Sequence, residues 1–145
     1  MGFRFPLATV LRFRESMEKR EELALQKVEF EIARIRRRID ELTEALAKAS
    51  DEREEGLQGW VQAHRLIILQ DEMNAAVEAK QTLFETLATL KSQRDAQMKL
   101  YQAARVKRRM LTDLQKEQRN AWEQVQVRIE QKLLDDIFSA RIQRS

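Results

Sequence analysis

Residues 25 to 49 read LQKVEFEIARIRRRIDELTEALAKA, and apolar residues recur in this stretch at alternating steps of three and four. The residues at these positions are Leu25, Val28, Ile32, Ile35, Ile39, Leu42, Leu46 and Ala49. Such spacing keeps the apolar side chains on one side of a slightly underwound helix, which needs a partner helix to cover them. The stretch therefore predicts one helix of a coiled coil.

The same periodicity extends toward the N-terminus through Met17, Val10 and Leu7. Keeping its phase between Met17 and Leu25 requires two consecutive steps of four through Glu21, a stutter that should relax the supercoil locally. Because neither Gly nor Pro interrupts this region, the sequence predicts a first long helix at 7–53.

Gly56 and Gly59 mark the reversal of the chain, because glycine adopts left-handed conformations cheaply. We place the turn at 54–60. The apolar pattern then continues to Ile137 without Gly or Pro. At 1.5 Å per residue the first helix covers only about 70 Å, so roughly thirty residues of the second segment are either unpaired or broken into a short helix near the turn. We favour the second alternative, with a short or broken helix at 60–75 followed by a second long helix at 76–140.

The predicted fold is thus all-α, an elongated antiparallel two-helix coiled coil in which residues 1–145 form a single hairpin. The second helix is less apolar than the first along its contact face. In strict phase that face includes Lys80, Arg94, Arg108, Gln115 and Gln118. Because such residues lower stability while fixing register and partner choice, we expect a modestly stable hairpin or one that completes its packing on a partner.

The composition offers little for catalysis. Among 145 residues there are three glycines, one proline, no cysteine and one histidine, His64. The chain has no glycine-rich phosphate-binding motif. Zinc sites usually need several His or Cys ligands, and a chain with one histidine and no cysteine does not supply them. We expect no enzymatic activity, no cofactor and no metal. The longest apolar run, 66–69, is far too short to span a membrane, so we expect a cytoplasmic protein without membrane insertion.

The charge pattern leaves the kind of partner open. Lys and Arg number 27 against 24 Asp and Glu, and the sequence pI is about 9.4. The basic run at 105–109 is compatible with nucleic-acid binding, but acidic residues are interspersed throughout. In a hairpin the end with the termini is basic and the turn end, 40–55, is acidic. A solvated helix surface and an electrostatically matched protein partner both explain this polarity.

Three segments carry a resemblance to a known family. Residues 3–15, FRFPLATVLRFRE, resemble the F-R-F-x-L-x-x-V-L-x-x-R opening of the flagellar FliJ family. Residues 105–114, RVKRRMLTDL, and 128–137, RIEQKLLDDI, are similar to two later motifs of that family. Asp113 and Asp136 stand where the family often has Glu, which conserves charge. The middle of the chain lacks the frequent Tyr residues of the family.

The resemblance implies a soluble, non-enzymatic component of the flagellar type III protein export apparatus. Its members are similar in shape to the two-helix central stalk of rotary ATPases. The implied partners are the hexameric export ATPase, whose assembly and activity such a protein promotes, the export-gate membrane protein and export chaperones, but no nucleic acid. The implied location is the cytoplasm, with peripheral association with the inner membrane at the flagellar base. A generic coiled-coil scaffold, a nucleic-acid-binding hairpin and the stalk of a virulence type III secretion system are the alternatives.

We expect the ATPase to contact the hairpin end that carries both termini. There Phe3, Phe5, Leu7 and Leu11 should lie together with Leu133, Ile137 and Phe138. The expected ATPase-binding residues are Phe3, Arg4, Phe5, Leu7, Leu11, Arg12, Arg14, Arg128, Gln131, Lys132, Asp135 and Ile137. The alternative is that Phe3 and Phe5 only hold the end of the coiled coil together, as a hydrophobic staple, without contacting the ATPase.

A second candidate surface lies just beyond the turn, where an apolar stripe is expected to contact the export gate. Its residues are Leu66, Leu69, Met73 and Ala76. The alternative use of the stripe is to pack back on the first helix near Leu42, Leu46 and Ala49, because exposed stripes of this kind tend to be covered.

Overall fold

The computed structural model describes residues 2–59 and 62–144, which form two helices, α1 at Ala8–Gln58 and α2 at Ala63–Arg144. These described residues contain no strand. The helices are antiparallel, because Glu18 near the start of α1 contacts Arg108, whereas Arg53 near its end contacts Gln70. The all-α helical hairpin predicted from the sequence is confirmed.

The N-terminus of α1 follows a turn that contains Pro6. The Ala8 backbone N–H donates to the Phe5 carbonyl at 3.1 Å, and the Leu11 N–H donates to the Leu7 carbonyl at 2.8 Å. Proline suits a position just before the first helical turn, since it has no N–H to leave unsatisfied. The helix begins within one residue of the predicted start.

The C-terminus of α1 lies further along the chain than predicted, because residues 54–58 are helical and Gly59 is the first turn residue. None of the described glycines has a positive φ. Trp60, the last residue of the predicted turn, lies outside the described residues. A glycine inside a helix costs about 1 kcal/mol, and burial of Gly56 together with hydrogen bonds from the last turns of α1 to α2 offsets that cost.

The predicted break near residue 75 is absent, since α2 is continuous from Ala63 to Arg144. Nothing in this range interrupts the backbone hydrogen bonds, because it contains neither Gly nor Pro. Met73 and Ala76 also line a small cavity with Leu46 and Ala49 of α1, and Arg53 of α1 donates a hydrogen bond to Gln70, so the start of α2 is paired. The 31 residues by which α2 (82 residues) exceeds α1 (51 residues) therefore do not lie near the turn.

The chain divides into two compact units. The mid-chain unit, Glu22–Leu100, has an apolar core in which Ile32, Ile39 and Leu87 are buried. The residues packed around this core are Val28, Ile35, Leu83 and Leu90. Each fully buried Leu or Ile contributes about 1.5–3 kcal/mol, so the mid-chain unit supplies most of the hydrophobic stabilisation.

The terminal unit, Met1–Glu21 with Tyr101–Ser145, has a more polar interior. Only Phe5 and Leu11 are buried among its described apolar residues. Half-buried Arg14, Glu18 and Glu21 continue the spacing of three and four that links Leu11 to Leu25 in α1. The stutter predicted through Met17 and Glu21 is therefore unnecessary, because polar residues occupy the seam there in regular phase.

The polar seam predicted for the second helix is confirmed. The five predicted residues, Lys80, Arg94, Arg108, Gln115 and Gln118, are all half-buried. Only Leu69 and Leu87 are buried in α2, and both belong to the mid-chain unit. The sequence pattern thus predicted correctly that the second helix makes the weaker contact face.

Candidate functional site

The N-terminal aromatic residues pack on α2. The ring of Phe3 lies 6.2 Å from that of Trp122 at an interplanar angle of 49°, and Phe5 is 8% exposed. Leu11, one of the predicted ATPase-binding residues, is also buried. These contacts favour the alternative in which Phe3 and Phe5 hold the end of the coiled coil, since Phe5 is buried and the half-buried ring of Phe3 lies against Trp122.

The remaining predicted residues of the N-terminal segment are more accessible. Arg4, Leu7 and Arg12 are exposed, whereas Arg14 is half-buried. The Arg14 guanidinium lies 5.6 Å from the centre of the Phe13 ring, a cation–π contact along the helix surface. Only the exposed members of this group are available for binding in the observed packing.

The two predicted groups of terminal residues do not form one cluster. Phe3 contacts Trp122, which precedes Arg128 by six residues and Ile137 by fifteen. At 1.5 Å per residue these positions lie about 9 and about 22 Å further along α2. The expected proximity of Phe3 and Phe5 to residues 133–138 is therefore wrong, because the excess length of α2 lies at its C-terminal end.

That C-terminal end is the main exposed feature of the terminal unit. Every residue from 127 to 144 is exposed, and we call this segment the C-terminal arm. Its large apolar residues are between 47% and 66% exposed, and they are Val127, Ile129, Leu133, Leu134, Ile137, Phe138 and Ile142. An apolar surface of this extent on a helix is typical of an interaction site.

The arm is amphipathic. At about 100° per residue, the apolar residues occupy one broad side of the helix. The opposite side carries Arg128, Lys132, Asp135 and Asp136. Of the predicted ATPase-binding residues in this segment, Ile137 therefore lies on the apolar side, Gln131 at its border and the three charged residues on the polar side. The prediction omitted Leu134, although its i+4 partner Phe138 and the length difference between the helices both pointed to it.

The predicted gate-binding stripe lies at the interface between the two helices. Leu69 is 1% exposed, and Leu66, Met73 and Ala76 are half-buried. Met73 and Ala76 line a small cavity together with Leu46 and Ala49 of α1. These positions favour the alternative in which the stripe packs back on the first helix.

One ion pair stands out in the terminal unit. Arg108 Nε and Nη2 donate to the two carboxylate oxygens of Glu18 at 2.5 and 3.3 Å, and both side chains are largely covered. The hydrogen bond from Arg108 holds the pKa of Glu18 below its ordinary value, against the opposing effect of burial. The same hydrogen bond raises the pKa of Arg108. The pair stays charged at neutral pH.

No group of three or more His, Cys, Asp or Glu in residues 2–59 and 62–144 is placed to hold a metal ion. His64 is exposed. No helix in the same ranges is long and apolar enough to cross a membrane.

These features define a class of protein, the antiparallel two-helix coiled coil, here with an exposed C-terminal extension of the second helix. The chain belongs to the FliJ family, because the family described as "Flagellar FliJ protein" matches residues 3–145. Membership makes it a component of the flagellar export apparatus and places it in a non-catalytic family. Neither a curated protein nor a solved structure matches the chain.

Proposed function

We propose that this chain is the central-stalk-like component that inserts its C-terminal arm into the hexameric flagellar export ATPase. The observation that carries the proposal is the arm itself, eighteen consecutive exposed helical residues with a broad apolar side. The rest of α2 packs on α1, and its exposed large apolar residues are spread over a much longer stretch than those of the arm. The exposed basic residues Arg4 and Arg12 in the same unit supply a charge that suits an acidic ring lining.

Insertion of such an arm promotes the assembly and activity of the ATPase ring, because the arm contacts the subunits of the ring unequally. A single helix has no sixfold symmetry, so it contacts the subunits of a hexameric ring differently. Subunits that contact the apolar side of the arm are stabilised in one conformation relative to the others, and this difference in binding free energy biases the hydrolysis cycle. The chain itself needs no catalytic group for this effect.

The role proposed for the N-terminus is to position the arm. Phe3 and Phe5 fix the N-terminal segment on α2 at Trp122, next to the start of the arm. Firm pairing up to Trp122 leaves only the segment beyond it to enter the ring. The aromatic residues of the family-like opening motif would then act through the helix pair, without direct contact to the ATPase.

Coupling to the export gate and handling of export chaperones require further surfaces. Because the stripe from Leu66 to Ala76 is covered, we propose that the gate contacts exposed apolar residues of α2 in the mid-chain unit. Ile67, Val77 and Phe84 are 61%, 56% and 49% exposed. Binding there would hold the protein at the inner membrane at the flagellar base. Replacing Val77 by Glu should weaken gate binding, whereas unchanged binding would remove this surface.

The test of the main proposal is the steady-state ATP hydrolysis of the cognate flagellar export ATPase, titrated with the chain where the ring only partly assembles. A saturable increase that accompanies hexamer formation supports the proposal. The Phe3→Ala/Phe5→Ala variant should lose stimulation together with protection of its N-terminal segment from proteolysis, as expected of positioning residues. No increase and no co-sedimentation with the ATPase would favour a generic coiled-coil scaffold.

A further inference from the structure

The apolar side of the C-terminal arm contains Glu130 and the oppositely charged Arg141, with Arg144 at its end. Glu130, Leu134, Ile137 and Arg141 follow one another at steps of four, three and four, so they form a single line along the helix surface. All four are exposed. Neither Glu130 nor Arg141 takes part in the ion pairs formed among the described residues. A partner that covers this line must therefore satisfy both charges.

The line is complementary to itself when one copy is reversed. In an antiparallel pair with twofold symmetry, Glu130 of one copy faces Arg141 of the other, and Leu134 faces Ile137. Four adjacent layers result, two of them apolar and flanked on both sides by an ion pair. We propose that the C-terminal arms of two copies of this chain pair antiparallel in this register.

The charges favour a second copy of the chain in this orientation. A parallel pair in register would place Glu130 against Glu130 and Arg141 against Arg141, and like charges across an interface are unfavourable. The charges on the polar side, from Arg128 to Asp136, remain in water in the antiparallel pair. The two flanking residues Leu133 and Phe138 add apolar area at the edges of the same surface.

We expect a low affinity for this dimer, because each copy contributes only one short helix surface. Interfaces smaller than about 1,200 Å² are typical of transient complexes. The consequence for regulation rests on the proposed function: a paired arm is unavailable to the ATPase ring, so self-pairing and ring insertion exclude each other. The dimer would keep the apolar side covered until the ring is present.

Sedimentation equilibrium of the full chain without ATPase tests the pairing. We expect a concentration-dependent equilibrium between monomer and dimer. Glu130→Arg and Arg141→Glu should each weaken the dimer about tenfold, since each variant places like charges opposite each other twice per dimer. The double variant Glu130→Arg/Arg141→Glu should recover to within about threefold of the wild type, because both ion pairs form again with reversed sign.

A matched control is available elsewhere on α2. Arg119 and Glu123 form an exposed ion pair outside the arm, and Glu123→Arg should leave the dimer unchanged. A monomer at all concentrations, or a double variant no tighter than the single ones, would overturn the proposal. Resistance of the arm to proteolysis in the monomer would also overturn it, because the arm would then be covered by another part of the same molecule.

The register has an independent test, because the chain contains no cysteine. A mixture of Leu134→Cys and Ile137→Cys chains should form the mixed disulfide faster than either chain forms its own. Equal rates would contradict the register. Neither measurement includes the ATPase, so failure of the pairing and failure of the proposed function are separate results.

Discussion

Glu18 and Arg108 are joined by two hydrogen bonds across the helix pair, although ninety residues separate them in sequence. Their side chains are 16% and 25% exposed, so this ion pair is better shielded than the Arg65–Glu52 pair between the two helices, whose side chains are 46% and 52% exposed. Each residue occupies a seam position where an apolar side chain is usual. Because only one alignment of the helices brings both charges together, the pair fixes the register of the terminal unit at a cost in hydrophobic burial.

Removing one partner of this pair should loosen the terminal unit. We expect Glu18→Ala to lower the free energy of unfolding by about 1–2 kcal/mol, the contribution of a partly exposed charged hydrogen bond. The charge-reversed double variant Glu18→Arg/Arg108→Glu should recover part of the loss. Urea denaturation measures both. As a control, Glu41→Ala removes the exposed pair with Arg38 and should change stability by less than about 0.5 kcal/mol.

The same pair should make stability depend on pH. The folded-state pKa of Glu18 lies below its ordinary value of 4.5 because of the hydrogen bond from Arg108. Its contribution is therefore complete above pH 4.5 and is lost as the pH falls through the folded-state pKa. The stability difference between the wild type and Glu18→Gln should shrink between about pH 5 and about pH 3, as measured by urea denaturation. A difference that stays constant through this range would contradict the assignment.

The mid-chain core should dominate overall stability. Ile32 is 3% exposed within the core cluster, and Ile32→Ala should cost about 2–5 kcal/mol because it leaves a cavity. Phe30, two residues earlier on α1, is 66% exposed and gives a matched control. Phe30→Ala should cost less than about 0.5 kcal/mol, the usual effect of a surface change. Thermal and urea unfolding followed by circular dichroism compare the two, and equal losses would argue against the helix pairing described above.

Trp122 should hold the N-terminal segment on α2. Its ring contacts Phe3, so Trp122→Ala should release residues 3–7 and expose the buried Phe5. We expect faster hydrogen exchange at the Ala8 and Leu11 amides and faster tryptic cleavage after Arg4. Replacing the exposed Phe13 by Ala should leave both rates unchanged. Unchanged exchange in Trp122→Ala would mean that the N-terminal segment is held by other contacts.

The fold could be predicted because one physical rule dominates it. The spacing of apolar residues from Leu25 to Ala49 requires a partner helix, and two glycines near residue 57 provide the only internal position for a turn. Periodicity also predicted that Arg108 lies on the contact face of the second helix, where it is half-buried. Its partner Glu18 was missed, because the rule treats a seam residue as apolar and therefore selected Met17.

The position of the excess length could not be predicted from periodicity. Apolar residues recur in α2 both where it packs on α1 and in the C-terminal arm, so the pattern alone does not say which part is paired. The hydrogen bonds from Arg53 to Gln70 and from Arg65 to Glu52, which join the end of α1 to the start of α2, decide that question. Once the start of α2 is paired, the arm must be the exposed end, and Phe3 and Phe5 meet Trp122 far from Phe138.

ATP hydrolysis by the cognate export ATPase most directly tests whether the C-terminal arm engages the ring. Leu133→Glu/Phe138→Glu places charge on the apolar side of the arm, and Val106→Glu/Met110→Glu does so at equally exposed positions of α2 outside it. The first variant should lose stimulation of hydrolysis with unchanged helicity, and the second should stimulate like the wild type. Full stimulation by the arm variant would contradict the proposed function.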